Sequence, residues 1–275
     1  MVRMVTADDL ARHPEFHKMG VSVNQYFDFV NENPLLPQPR RYSNPHYDIT
    51  ESPVDYGAFA PKPKKWSKFF DKIYVINLKK RKDRMQNAVN QLNKYSIPFE
   101  RIEAIENENG AEGLRLTMEK LFKACIKEKY QNIIVFEDDL DIIEPKINDI
   151  MQQVVADIPD SYDIIYLGCN LCTPPTGYHN KVLLKGIRNA FATHAAIYSL
   201  KAMKAFIKQK PYAPVDNFIV EQIQPKGNCY STVPMLVSQI VSHSDIYSDT
   251  ATMDWTNHLQ LKYPQMINGV KKDNG

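Results

Sequence analysis

The sequence predicts an α/β protein: a mostly parallel, Rossmann-like sheet with helices on both faces and a proline-rich extension ahead of it. Three observations carry that expectation. Short apolar runs, IYVINL, IIVF and IIYL, are rich in β-branched residues and read as strands buried on both faces. Segments with apolar residues at helical spacing separate them, and strands alternating with helices close into a parallel sheet covered on both sides. Finally, FEDDLD sets Glu137, Asp138, Asp139 and Asp141 directly behind a buried strand. Charge of that density is tolerated only where the strand leaves the sheet, at the carboxyl end where such sheets bind ligands.

In chain order, Ile73 to Leu78 is the first strand, and Lys79 to Tyr95 a helix with Met85, Val89 and Leu92 on one stripe. Phe99 to Ile105 forms a second strand behind Pro98, and Gly113 to Tyr130 a second helix through Leu114, Met118, Leu121, Phe122 and Cys125. The strand ending in the acids follows. Beyond it come a helix near 146–156, a strand at Ile164 to Leu167, a helix near 200–209, a shorter helix from about Asp216, and a strand near Tyr230 to Val233.

Residues 1–66 differ in kind. Their many prolines break regular elements, while their aromatics argue against simple disorder. They read as an extension, with a short helix near 22–31, that wraps a domain spanning 67–250; residues 251–275 form a tail. The chain has 275 residues, 43% apolar and 24% charged, as expected of a globular domain with a full core. A formal charge of +2 from intermixed residues gives no reason to expect a nucleic-acid partner. No window reaches the roughly 20 apolar residues of a membrane span. The first residues lack the apolar core of a signal peptide, so a cytoplasmic protein is expected. Cys125, Cys169, Cys172 and Cys229 make no disulfide framework, and the lone CxxC of Cys169 and Cys172 has no second pair to complete a zinc site.

The acids admit three readings. One is a solvated acidic loop. The second is a divalent-cation site, since oxygen ligands suit Mg²⁺ or Mn²⁺, which bind through one or two carboxylates plus substrate phosphates. The third is a phosphoaspartate hydrolase on Asp139 and Asp141, but the Thr or Val expected after the second acid is missing. No P-loop or GxGxxG string occurs.

Over roughly residues 72–247 the chain resembles the family 25 glycosyltransferases, which include lipopolysaccharide-synthesis enzymes and collagen hydroxylysine galactosyltransferases. The resemblance lies in IYVINLKKRKDR, IPFERIEAIE, VFEDDL, YDIIYLG, THAAIYSLKAMKAF, PVDNFIVE and YSTVPMLVSQIVSHSDI, in that order. The segment before the acidic strand departs from the family, having Gly113 and Thr117 but no His. The resemblance implies a GT-A fold and metal-dependent transfer of galactose or glucose from a UDP-sugar, with inversion, to a glycan or a hydroxylysine. Glu137, Asp138 and Asp139 would then hold Mn²⁺ (or Mg²⁺), with His243 as a later ligand and Asp141 as an alternate. Asn77, Leu78, Arg81, Ala104, Glu106 and Asp138 would face the UDP, and Arg84 could approach its diphosphate. Asp216 is the candidate base, although an Asp at a helix start also serves as an N-cap. Glu221 is the fallback, and His194 could line the acceptor side but reads rather as a core or loop histidine. The alternative in another class is a catalytically silent nucleotide-sugar or glycan-binding protein on the same fold.

Overall fold

The computed structural model describes residues 64–226 and 228–240, so the expected helix near 22–31, most of the extension, the tail and His243 lie outside the described residues. A 3-10 turn, Lys65–Phe69, leads into strand β1 (Lys72–Asn77), helix α1 (Lys82–Lys94), β2 (Glu100–Glu103), α2 (Gly110–Lys127) and β3 (Asn132–Glu137). Then follow β4 (Leu140–Ile142), α3 (Ile147–Ala156), β5 (Ile164–Leu171), β6 (Gly177–Tyr178), β7 (Leu183–Lys185) and β8 (Ala190–Ser199). Helices α4 (Leu200–Lys208) and α5 (Val215–Gln222), a 3-10 turn at Gln224–Lys226, β9 (Cys229–Thr232) and β10 (Val237–Gln239) complete the order.

Eight strands form one sheet in the order β2-β1-β3-β8-β5-β9-β7-β6, and β10 pairs with β4 in a separate two-stranded ribbon. From the pairings, β1, β2, β3, β5, β6 and β9 run one way and β7 and β8 the other, so the sheet is mostly parallel, as expected. Strand β8 was not foreseen as a strand. It lies antiparallel between β3 and β5 at the centre of the sheet. Helix α1 begins three residues later than expected, because Lys79 and Lys80 form a turn.

Alternation along the strands builds two cores. Tyr74, Ile76, Ile133, Val135, Tyr166 and Tyr198 pack on the face of α2, α4 and α5. Their neighbours Ile73, Val75, Ile134, Phe136, Ile165 and Ile197 pack on the face of α1 and α3. On the first face Phe122 lies 5.0 Å, centroid to centroid, from both Tyr198 and Phe206. Such a sheet has no solvated face, which is why its strands read as continuous apolar runs.

The chain steps from β1 outward to β2 and then back across β1 to β3. The carboxyl ends of β1 and β3 therefore flank a topological switch point, the crevice where ligands bind in open α/β sheets. Asn77 ends β1 and Glu137 ends β3.

Candidate functional site

Asp138 and Asp139 form the turn that leaves β3, and only 6% and 5% of their surfaces are exposed. Neighbouring elements supply their partners. From β1, Asn77 Nδ2 donates to Asp138 Oδ2 at 2.7 Å, while Arg101 Nε of β2 donates to Asn77 Oδ1 at 2.9 Å. From α1, Arg84 Nη1 reaches Asp138 Oδ1 at 3.3 Å and Asp139 Oδ2 at 3.5 Å. Arg84 is itself buried, so it serves these acids as an internal counter-ion instead of presenting a solvated face. Both oxygens of Asp138 are thus engaged by protein, and Asp138 acts here as the anchor of a buried ion pair.

Asp139 is held differently. Its Oδ2 also accepts from Gln239 Nε2 at 3.3 Å, and its carbonyl accepts from the Ile240 N–H at 2.7 Å. Its Oδ1 is buried and has no hydrogen-bond partner among the described residues. A buried carboxylate oxygen without a donor is costly, and a cation is one group that would satisfy it. The third acid, Glu137, accepts from Thr193 Oγ1 of β8 at 2.8 Å. Desolvation, reinforced by the charges of Asp139, Asp138 and Asp216, pushes its carboxyl up to about 8. Desolvation likewise lifts Asp138 to about 6, against the opposing pull of Arg84 and Asn77.

The charge of Asp216, distant in sequence, also helps to raise the Glu137 carboxyl. Asp216 is not the N-cap of α5. Pro214 holds that position, and Asp216, half-buried in the first turn, accepts from the Asn217 N–H at 2.9 Å. Ala104 joins the site through its backbone, its N–H donating to the Asn77 carbonyl at 2.9 Å, and the Leu78 carbonyl accepts from the Arg81 N–H at 2.9 Å.

Asn77 Nδ2 also donates to the Arg81 carbonyl at 2.9 Å, while the side chains of several other candidates pair elsewhere. Arg81 forks onto Asp83 at 3.0 and 2.9 Å. Glu106 is exposed and paired with Lys80 at 2.7 Å, and Glu221 is exposed and accepts from Tyr212 Oη at 2.5 Å. Asp141, on β4, accepts from Gln91 Nε2 of α1 at 2.8 Å, a partner outside the acid triplet. His194 is buried, its Nε2 donating to the Val237 carbonyl at 3.2 Å, as a core histidine would. Among the described residues no disulfide forms, and Cys125, Cys169 and Cys229 are buried.

Among the described residues, no three His, Cys, Asp or Glu side chains converge as a metal-holding group. Of the expected ligand set, Asp138 is engaged by Arg84 and Asn77. What the donor set fits is a hard cation taken through Asp139 and completed by substrate phosphates, the manner in which Mg²⁺ commonly binds. Thr193 and Arg101 were missed in the sequence because each lies far along the chain from the residue it serves, Thr193 on β8 from Glu137 and Arg101 on β2 from Asn77.

No protein-family model matches the chain. Among solved structures it is similar to A197 from STIV, at 10% identity and TM-score 0.40, over 62% of this chain and 85% of that one. It is also similar to a glycosyltransferase involved in the glycosylation of the major capsid of PBCV-1, at 12% identity and TM-score 0.37, over 58% of this chain and 79% of that one. A third is a mannose-1-phosphate geranyltransferase from Thermus thermophilus, at 10% identity and TM-score 0.32, over 58% of each chain. Similarity at this level adds no weight to the reading of the site.

Proposed function

We propose that the protein is a metal-dependent glycosyltransferase that moves a hexose, galactose or glucose, from a UDP-sugar to a hydroxyl of a glycan or a collagen-like hydroxylysine. The observation that carries the proposal is the partnerless, buried Oδ1 of Asp139 at the carboxyl end of β3, beside the switch point of the sheet. The sequence resemblance to family 25 supports the choice of donor.

Asp139 would hold Mn²⁺ or Mg²⁺ together with the donor's diphosphate. When bound, the cation offsets charge on the departing phosphate oxygen. Asn77 and Ala104, at the ends of β1 and β2, would line the nucleotide's side of the crevice. Asp216 would take the proton of the acceptor hydroxyl as its oxygen bonds to the anomeric carbon. The bond from that carbon to the phosphate oxygen breaks, its electron pair leaves with UDP, and the configuration inverts.

The test is UDP release from a panel of UDP-sugars, with and without Mn²⁺, for the wild type and Asp139→Ala. The expected result is Mn²⁺-dependent turnover of one donor, reduced by about a hundredfold or more in the variant. Silence with every donor, in the presence of glycan and collagen-like acceptors and despite UDP binding, would replace the enzyme with a nucleotide-sugar-binding protein.

A further inference from the structure

We infer that Gln239 is a positioning residue which holds one oxygen of Asp139 so that the other stays available to the cation of the donor complex. This deepens the metal-dependent reading above and rests on it.

Oδ2 of Asp139 accepts a hydrogen bond from Gln239 Nε2 at 3.3 Å and lies 3.5 Å from Arg84 Nη1 as its ion-pair partner. A guanidinium beside a carboxylate tends to close a two-pronged pair with both of its oxygens. Here Nη1 divides itself between Asp138 and Asp139, and among the described residues Oδ1 of Asp139 meets no donor. Gln239 supplies a restraint on this carboxylate, since it binds Oδ2 from a separate element. An amide also suits the task chemically, because it holds the oxygen without adding positive charge where a cation is to bind.

Backbone contacts fix the position of this amide. Gln239 pairs with Leu140 across the β10–β4 ribbon, and the next residue, Ile240, donates its N–H to the Asp139 carbonyl at 2.7 Å. One step back in the strand's alternation, the Val237 carbonyl accepts from His194. That carbonyl also lies 1.8 Å from where a Cβ on Gly168 would stand, so only glycine lets the ribbon seat this deeply against β5. Backbone and side chain of one short strand and its next residue therefore grip the same aspartate.

Without the amide, the Asp139 carboxylate is free to rotate and offer both oxygens to Arg84, withdrawing Oδ1 from the cation. The test is Mn²⁺ binding in the presence of UDP, followed by the electron paramagnetic resonance of free Mn²⁺, for the wild type, Asp139→Asn, Gln239→Met and Gln239→Ala. Gln239→Met keeps the length of the side chain and removes only the amide, and thermal unfolding checks that each variant is folded. Mn²⁺ affinity should fall by about tenfold in both Gln239 variants, as for other residues that orient a metal ligand. In turnover, the concentration of Mn²⁺ for half-maximal rate should rise while the rate at saturating Mn²⁺ stays within about twofold of wild type. Adding Arg84→Lys to Gln239→Met should restore part of the affinity, since an ammonium is a point charge without the fork. Wild-type affinity in a folded Gln239→Met, with binding lost in Asp139→Asn, would overturn the role of Gln239 and leave the metal site standing. No Mn²⁺ binding by the wild type with UDP would overturn both.

Discussion

A guanidinium shared by two buried carboxylates, as Arg84 is by Asp138 and Asp139, offsets part of the desolvation that burying either acid costs. Glu137 has the Thr193 hydroxyl but no cation of its own among the described residues, and its carboxyl is lifted from 4.5 to about 8. The sign of the consequence follows from linkage. Between those values the folded protein binds a proton that the unfolded chain has released, so stability is greatest below the unfolded value and falls as pH rises through the folded one. Asp138, lifted from 3.8 to about 6, acts in the same direction over a lower window. We expect the melting temperature in metal-free buffer to decline from pH 4.5 to about pH 8, and Glu137→Gln to flatten the upper part of that decline. A wild-type curve that rises over this window would show that Glu137 is ionised in the fold.

At the level of elements, the ribbon of β4 and β10 ties the acid turn to the main sheet. Its seat depends on Gly168, in β5, where the register against β8 also shifts. A methyl group there would meet the Val237 carbonyl at 1.8 Å and His194 Nε2 at 2.7 Å. Backbone cannot yield as a flexible side chain does, so Gly168→Ala should destabilise the protein by about 1–3 kcal/mol or more. It should also displace Gln239. Chemical denaturation would read the first effect, and weaker Mn²⁺ binding the second. A Gly168→Ala protein of full stability would mean that the ribbon sits higher over β5 than described.

For the whole molecule, the acid turn lies where the chain's order across the sheet reverses, so the residues around it come from elements distant in sequence: Asn77 of β1, the turn after β3, and β10. Binding only the folded form raises its stability by mass action, by about 2.7 kcal/mol at a hundred times Kd. For a domain of this size each kcal/mol moves Tm by about 2–4 °C. UDP with Mn²⁺ should therefore raise the wild-type Tm by several degrees, and Asp139→Ala should lose the part that depends on the metal. An equal shift with UDP alone would count against a shared metal–diphosphate site.

The buried strands, the helices between them and the position of the acids at a strand end were legible in the sequence, because each depends on local hydrophobic period and on the cost of burying charge. Strand β8 was not, although it runs through the middle of the sheet. Its AFATHAAIYS is rich in small residues and carries a histidine, and only its neighbours β3 and β5 make it a strand. The sequence also implied that something positive must accompany Asp138 and Asp139. Tertiary structure decided that Arg84 is part of the answer, and that one oxygen of Asp139 has no partner among the described residues. Local pattern reports how much charge a segment carries and how deeply it is buried. Which partner meets that charge depends on elements more than fifty residues apart meeting at one crevice, and spacing along the chain does not encode that.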